Sequence, residues 1–293
     1  MKITVGVITF NECAHIEKCL EKLFVMDFPV ADYEVVIVDG NSSDGTIEIV
    51  EKFQKLYSNI RLIVEPRKGA AIARKVVIEQ ALYDFVAFTD ADCEVPSDWL
   101  TILRDGFLRH KKNHENLVAV GGRNEVPTDG KLFLKALTVA LDTFLGSMGS
   151  TQGTIYKFDR VVSSIPTLNI LYDRAKVIET GNFDESLISD AEDADMNFRL
   201  TQMGYKLVYL KDSVVFHKYR PDIIEWAKNM FKYGRGRGKI LKKHGTAMWS
   251  YVYVLPLIFI LSFFCIVLAD ISKIFFLPLL YFQLFYFMVF IYL

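Results

Sequence analysis

Residues 1–90 alternate apolar segments of strand length with segments whose apolar residues recur at helical spacing, and this alternation constrains the fold more than any other feature. A repeated strand–helix order favours a parallel sheet with right-handed crossovers and helices packed on its faces. We therefore predict an α/β fold. The predicted strands are KITVGVITF, YEVVIVDG, IRLIVEP and DFVAFTD, and the predicted helices are NECAHIEKCLEKLFV, TIEIVEKFQKLY and GAAIARKVVIEQAL.

The middle of the chain is less regular. LVAVGGRNEVP is typical of a further strand, GKLFLKALTVALDTFLG of a helix, and SMGSTQGTIYKF of a mobile loop rich in glycine and serine. GYKLVYLKDSVVFH predicts a pair of strands that ends at His217.

Polar residues follow the predicted strands where each strand ends. Asp90 and Asp92 come directly after the fourth strand, Asp39 ends the second and Thr9 ends the first. Ligands of parallel α/β sheets bind beyond the carboxyl ends of the strands, so we expect these residues at a ligand-binding edge. The paired aspartates could bind a hard cation such as Mg²⁺ or Mn²⁺, act as an acid/base pair, or cap the following turn.

A second acidic cluster, SDAEDADMNFRL, places Glu192, Asp193 and Asp195 just before a predicted helix. Acids in a first helical turn are favoured by the helix dipole, so part of this cluster can be structural. His217 ends an apolar strand, a place where a histidine is more often structural than a ligand. The four cysteines have neither metal-ligand nor redox spacing and suit a reducing compartment.

Two nearly uncharged segments, residues 251–269 and 274–293, end the chain. As a helix of roughly 30 Å, each would be long enough to cross the hydrocarbon core of a bilayer. The polar residues 270–273 between them predict a tight turn, and hence a transmembrane helical hairpin. The alternative is a pair of buried core helices.

A basic segment precedes the first of these apolar runs. The positive-inside rule places it, and the domain before it, on the cytoplasmic side, and MKITVGVITF does not have the features of a signal peptide. An apolar stripe in the same segment predicts a helix lying flat in the membrane interface, with a plain basic stop signal as the alternative. The basic residues are Lys228, Lys232, Arg235, Arg237, Lys239, Lys242 and Lys243, and the stripe comprises Ile223, Ile224, Trp226, Ala227, Met230 and Phe231.

Six motifs, taken in their order and spacing, resemble the family 2 glycosyltransferases with the GT-A fold, from Met1 to about Tyr219. The motifs are VITFNE, VVIVDGNSSDGT, PRKGAAIARKVVIEQA, FTDADCEVPSDWL, GNFDESLISDAEDADMNFRLTQMGY and VVFHKYR. The resemblance implies a GT-A-type mixed, mainly parallel sheet flanked by helices. With the C-terminal pattern, it divides the chain into a catalytic domain (1–220), a basic amphipathic juxtamembrane segment (221–248) and two transmembrane helices (249–293).

The resemblance also implies an activity: metal-dependent, inverting transfer of a hexosyl or N-acetylhexosaminyl group from a UDP- or GDP-sugar. Thr9, Phe10 and Glu12 would line the nucleotide pocket, Asp39 would meet the base, Lys68 and Arg74 would lie near the ribose and diphosphate, and Asp90 would approach the nucleotide. Asp92 would bind Mg²⁺ or Mn²⁺, and His217 would complete the metal site. Glu192 and Asp193 correspond to an acidic dyad in which Asp193 is the general base.

NMFKYGRGRG loosely resembles the Gln-x-x-Arg-aromatic segment of processive family members, with Asn229, Lys232 and Tyr233 at its positions. We therefore hypothesise that Arg235 and Arg237 grip a diphosphate or a lipid phosphate.

A membrane-anchored glycosyltransferase is expected to use a lipid-linked acceptor. A polyprenyl phosphate is already anionic and needs no base, so the dyad favours a sugar hydroxyl on a lipid-linked saccharide. A polyprenyl-phosphate glycosyl synthase remains the alternative, although its Asp-Ala-Asp motif continues into Gln-His-Pro where this chain has DADCEVP. A nucleotidyltransferase is less favoured because TFNECAHI is not glycine-rich. Asp92 and Asp193 disfavour a non-catalytic membrane scaffold, and no nucleic-acid partner is expected.

Overall fold

The computed structural model describes residues 1–125, 156–218 and 223–245, with a few single positions elsewhere. The predicted helix and most of the predicted loop between residues 130 and 155 lie outside these ranges, as does the predicted transmembrane hairpin at residues 249–293 apart from isolated positions. Within the described part of the chain, no helix is both long enough and apolar enough to cross a bilayer.

The first half of the chain forms the predicted strands and helices. The strands pair in parallel, so that Thr9 lies opposite Asp39 and Ile8 lies opposite Asp90. Their carboxyl ends therefore meet at one edge of the sheet. The elements are β1 (Ile3–Thr9), α1 (Ile16–Phe24), β2 (Tyr33–Asp39), α2 (Thr46–Leu56), β3 (Ile60–Val64), α3 (Ala70–Gln80) and β4 (Phe85–Asp90).

The second half adds five strands and reverses part of the sheet. Its elements are β5 (Cys93–Glu94), α4 (Trp99–Lys111), β6 (Leu117–Glu125), β7 (Arg160–Val162), β8 (Ile170–Asp173), α5 (Arg174–Glu179), α6 (Glu192–Gln202) and β9 (Lys206–His217). The strand order is β3-β2-β1-β4-β8-β6-β9-β5, with β7 also paired to β9.

The sheet is mixed and mainly parallel, because β1, β2, β3, β4, β6 and β9 run in one direction and β5, β7 and β8 run in the other. Of the eight strand pairings among the described residues, four are parallel and four antiparallel. β8 runs antiparallel to both β4 and β6, between which it lies. The structure therefore agrees with the mixed, mainly parallel sheet that the resemblance implied, and the antiparallel strands all follow residue 90, where the regular alternation stops.

The predicted pair of strands that ends at His217 is one strand, β9. The polar residues Lys211 and Asp212 lie inside it, where its register against β6 shifts between Gly121 and Arg123. A side chain at Gly122 would overlap the backbone oxygen of Ser213, so glycine permits the close approach at this irregularity. The polar residues therefore mark a bulge and not a turn.

Helices cover both faces of the sheet, and each face has its own apolar core. One core packs α1, α2 and α4 against Val35 and Ile37 of β2. The other packs α3, α5 and α6 against Val36 and Val38 of the same strand. Because successive side chains of a strand point to opposite faces, the continuous apolar run of β2 supplies both cores.

A long basic helix, α7 (Ile223–His244), follows the sheet. Its buried residue Ile240 faces the protein, whereas Ile224 and Phe231 are 62% and 75% exposed. The predicted helix in the basic segment therefore exists, and it presents apolar side chains to its surroundings.

Candidate active site

The candidate site lies where β1, β2 and β4 end. A pocket of about 400 Å³ opens there, beside α3 and the turn that precedes α6. Of the residues predicted to bind the nucleotide, Thr9, Phe10, Glu12, Lys68 and Asp90 line this pocket. The structure thus brings together residues from three strand ends and the start of α3.

Thr9 and Phe10 offer contacts suited to a ligand. The Thr9 hydroxyl is buried and has no hydrogen-bond partner among the described residues. The Phe10 ring is 45% exposed, and the Lys68 ammonium lies 5.1 Å from its centroid. A buried hydroxyl normally finds a partner, so a pocket with this wall is suited to a ligand that carries polar groups.

Asp39 is not part of the pocket wall. Its carboxylate is fully buried and accepts hydrogen bonds from the backbone nitrogen and the hydroxyl of Ser42, each at 2.7 Å. The next residue, Gly40, lines the pocket instead. Asp39 therefore holds the turn after β2, and the predicted contact with a base stays a prediction.

Asp92 and His217 form a group of metal-ligand type. His217 lies directly opposite Cys93 in the β5–β9 pair, and its Nε2 is 3.1 Å from Oδ2 of Asp92. Ligand atoms of Asp92, Cys93 and His217 all lie within 4.8 Å of one another. A carboxylate and an imidazole suit Mn²⁺ and also Mg²⁺ completed by phosphate oxygens. Cys93 is a neighbour that its sequence spacing did not indicate.

Electrostatics keep Asp92 available as an anion. Burial alone would raise the pKa of Asp92, but the adjacent His217 outweighs this effect and leaves the pKa of Asp92 below its ordinary value. Burial likewise opposes protonation of His217, but Asp92 raises the pKa of His217 above its ordinary value. Burial raises the pKa of Cys93, so its side chain is a thiol. The oxygen and nitrogen atoms are thus the better ligands for a hard cation.

Arg74 joins the two acidic clusters. Its Nη2 donates to Oδ1 of Asp90 at 3.1 Å, and its Nη1 donates to Oε1 of Glu192. Arg74 is 5% exposed, so its pair with the buried Glu192 lies out of water, whereas its pair with the half-buried Asp90 lies at the pocket wall. Burial raises the pKa of Asp90 and of Glu192, and the guanidinium opposes that rise in both. Arg74 is therefore occupied by protein carboxylates, and does not line the pocket where it was expected to meet a diphosphate.

The acidic dyad opens α6. Glu192 and Asp193 lie in the first turn of this helix and do not precede it. Glu192 is buried against Arg74, whereas Asp193 is half-buried and accepts a hydrogen bond from the backbone of Ala194. Asp193 does not line the described pocket, although Ile188 and Ser189 of the preceding turn do. Arg74 connects the dyad to the pocket, because it bonds both Glu192 and Asp90, and Asp90 lines the pocket.

The two arginines predicted to grip a phosphate lie elsewhere. Arg235 donates to Oδ1 of Asp190 at 2.8 Å, and Arg237 is exposed. The residue of α7 that lines the pocket is Lys232. This helix contains many lysines and arginines. Apart from the loose motif that includes Lys232, the sequence did not indicate which of these basic residues would face the pocket.

The sequence belongs with known glycosyltransferases. The family model for glycosyl transferase family 2 matches residues 4–177, which is more than half of the chain. Glycosyltransferase AglE of Haloferax volcanii is 29% identical over 263 residues, covering 87% of this chain and 81% of its own. A Methanococcus voltae enzyme is 25% identical over 256 residues, covering 86% and 78%. It is a dolichyl N-acetyl-α-D-glucosaminyl phosphate 3-β-D-2,3-diacetamido-2,3-dideoxy-β-D-glucuronosyltransferase.

The fold is shared with solved glycosyltransferases. The mannosyltransferase PcManGT of Pyrobaculum calidifontis, in complex with GDP-Man and Mn²⁺, superposes with a TM-score of 0.60 at 22% identity, over 82% of this chain and 64% of that one. The mixed sheet with helices on both faces is the GT-A arrangement. By its sequence and its fold, this chain is a glycosyltransferase of family 2.

Proposed function

We propose that the protein is a membrane-bound, metal-dependent, inverting glycosyltransferase. It moves a hexosyl or N-acetylhexosaminyl group from a nucleoside-diphosphate sugar to a hydroxyl of a lipid-linked saccharide. The observation that carries this proposal is the convergence of the two acidic clusters: one arginine, Arg74, bonds both Asp90 at the pocket and Glu192 of the dyad.

The pocket is the donor site. Thr9, Phe10 and Glu12 line one side of it, and Lys68 and Lys232 bring positive charge to it. The buried Thr9 hydroxyl gains a partner when a polar ligand binds. A nucleoside diphosphate offers an aromatic base, hydroxyl groups and two anionic phosphates, which match this lining. GDP-mannose in the Pyrobaculum relative supports a donor of this class.

Asp92 and His217 hold the divalent cation. The Mn²⁺ of the Pyrobaculum relative supports a cation in this fold, and the Asp92–His217 donor set fits it. When bound, Mg²⁺ or Mn²⁺ neutralises charge that builds on the departing diphosphate. Lys68 and Lys232 contribute to the same stabilisation from the protein.

Asp193 is the base that takes the proton of the acceptor hydroxyl. Glu192 is engaged by Arg74, so proton transfer falls to its half-buried neighbour. Inversion requires the hydroxyl to attack the anomeric carbon from the side opposite the leaving group. The base on α6 and the cation site beside the β5–β9 pair would then act on opposite sides of the anomeric carbon.

The acceptor reaches the site from a membrane. The exposed apolar residues Ile224 and Phe231 of α7, among lysines and arginines, suit an interface with anionic lipid. We propose that the apolar runs 251–269 and 274–293 form a transmembrane hairpin, an arrangement in which the positive-inside rule favours a cytoplasmic catalytic domain. The Methanococcus relative, whose name includes a dolichyl-linked N-acetylglucosaminyl phosphate, supports a lipid-linked saccharide acceptor.

The proposal is tested first by donor binding. The full chain in detergent is melted with UDP-N-acetylglucosamine, UDP-glucose or GDP-mannose, each with and without Mn²⁺. We expect sugars of one nucleotide, either UDP or GDP, to raise the Tm only when Mn²⁺ is present. We expect Asp92→Asn to abolish that rise in Tm. Stabilisation that does not depend on metal, or none by any UDP- or GDP-sugar, contradicts the donor assignment.

Transfer is tested second. The donor so identified is supplied, with its sugar labelled, to vesicles that contain dolichyl-phosphate-linked N-acetylglucosamine or dolichyl phosphate alone. We expect label in the saccharide-bearing lipid, and a loss of about 10²–10⁴-fold in Asp193→Asn, as for removal of a general base. If the label instead appears only on dolichyl phosphate and not on the saccharide-bearing lipid, the protein is a polyprenyl-phosphate glycosyl synthase.

A further inference from the structure

The turn that precedes the dyad is strained. Ile188 and Ala191 both have a positive φ, of 59° and 64°, and Ala191 has the left-handed helical conformation. Ala191 is the residue immediately before Glu192 and forms the N-cap of α6. Residues other than glycine rarely adopt a positive φ, and this conformation persists only where the surrounding structure enforces it.

Helix α7 is bonded to this turn through Asp190. The Asp190 carboxylate is 4% exposed and accepts hydrogen bonds from Arg235 at 2.8 Å and Lys239 at 2.6 Å. These two residues are one helical turn apart, so each serves one carboxylate oxygen. Burial raises the pKa of Asp190, but the two cations outweigh burial and hold its pKa below the ordinary value. Asp190 is therefore a charged anchor.

The backbone of α7 also touches the turn. A side chain at Gly236 would place its Cβ 3.0 Å from Cβ of Ala191 and 3.1 Å from the carbonyl carbon of Asp190. At Gly234 and Gly238, on the same helix, a Cβ would meet no atom within 4 Å among the residues that the structure describes. The glycine at position 236 thus lets the helix lie directly against the residue that precedes the dyad.

A second set of contacts joins α7 to α6 just after the dyad. Asp195, in the first turn of α6, is fully buried and accepts hydrogen bonds from Lys243 at 2.8 Å and His244 at 2.6 Å. Arg199 of α6 itself also donates to this carboxylate, at 2.8 Å. Residues on both sides of Glu192 and Asp193 are therefore fixed by one helix.

We propose that α7 is the positioning element for the catalytic base: Asp190 and Gly236 hold the strained turn that aims Asp193 at the acceptor hydroxyl. This inference rests on the proposed role of Asp193 as the base. It assigns to the basic helix a task besides membrane contact, and it makes Asp190 a positioning residue that touches no substrate. The apolar runs 251–269 and 274–293 follow α7 in the sequence. A change in the position of α7 would therefore also change the orientation of the catalytic base.

The three glycines provide matched variants. Gly234→Ala, Gly236→Ala and Gly238→Ala make the same change, and alanine favours a helix over glycine at all three positions. The full-length proteins in detergent release UDP from UDP-N-acetylglucosamine, or GDP from GDP-mannose, with water as acceptor and Mn²⁺ present. We expect kcat to fall at least tenfold in Gly236→Ala, with donor KM changed less than twofold. Gly234→Ala and Gly238→Ala keep both constants within twofold.

A charge series tests the same link without steric change. Arg235→Gln lowers kcat at unchanged donor KM, whereas Arg235→Lys, which keeps a cation for Asp190, restores most of it. Lys242→Gln, a loss of an exposed cation on the same helix, changes neither constant. If Gly236→Ala fails to fold, this series decides.

The outcomes separate the two proposals. If Asp193→Asn keeps its turnover, the assignment of the base fails. If Asp193→Asn is inactive while Gly236→Ala matches Gly238→Ala and Arg235→Gln matches Lys242→Gln, the base stands and the positioning role of α7 is overturned. A rise in donor KM with unchanged kcat overturns it as well, since that result places α7 at the donor.

Discussion

Replacing Arg74 by methionine removes the cation that pairs with both the buried Glu192 and the half-buried Asp90. Methionine fills a similar volume, so the change removes charge and hydrogen bonds more than packing. Breaking a buried ion pair from one side costs about 3–5 kcal/mol, because the remaining charge is left uncompensated. For a domain of this size, about 2–4 °C per kcal/mol converts this cost to a fall in Tm of roughly 6–20 °C.

The loss depends on pH. Burial already raises the pKa of Asp90 and of Glu192, and without Arg74 both values rise further. A carboxyl with a raised pKa in the folded state binds protons more readily there than in the unfolded chain, so its destabilising effect appears as pH rises and fades as pH falls. The deficit of Arg74→Met relative to the parent protein is therefore smaller at pH 5 than at pH 8.

Thermal unfolding of the detergent-solubilised protein measures these effects. Arg74→Lys keeps a charge but not the two-pronged geometry, and we expect an intermediate Tm. In a Glu192→Gln background one uncompensated charge is gone, so Arg74→Met costs less than in the parent. A Tm within 2 °C of the parent, or an equal loss in both backgrounds, would refute the bridging role.

Three further predictions concern metal, packing and thiols. His217→Ala should lower the Tm without Mn²⁺, because Asp92 loses its partner, and should also weaken the additional stabilisation by donor that depends on Mn²⁺; an unaltered Mn²⁺ titration argues against a ligand role. Gly122→Ala forces a methyl group into the backbone of Ser213 and should cost about 1–3 kcal/mol in urea unfolding, so a neutral result would contradict the close approach. Maleimide followed by peptide mapping should label the exposed Cys13 before the buried Cys93, whose pKa burial raises, and the reverse order would show that β5 opens readily.

Much of the donor half of the site could be predicted from the sequence. The alternation of residues 1–90 reports local periodicity, and the pairing of parallel strands follows from it with little ambiguity. Thr9, Asp39 and Asp90 were therefore expected at one edge, and they lie there. Whether a side chain at that edge faces a ligand or its own turn is a finer matter, which the hydrogen bonds of Asp39 to Ser42 illustrate.

The tertiary structure decided how distant segments pair. Nothing local places His217 opposite Cys93, because that neighbour depends on the bulge in β9 and on the antiparallel course of β5. Nothing local directs Arg74 to two carboxylates instead of a phosphate. A run of lysines and arginines can be neutralised by lipid phosphates or by protein acids with equal local pattern, and here part of it is neutralised by Asp190 and Asp195. Periodicity determines the elements along the chain, whereas the partners of buried charges are determined only when those elements pack and water is excluded from between them.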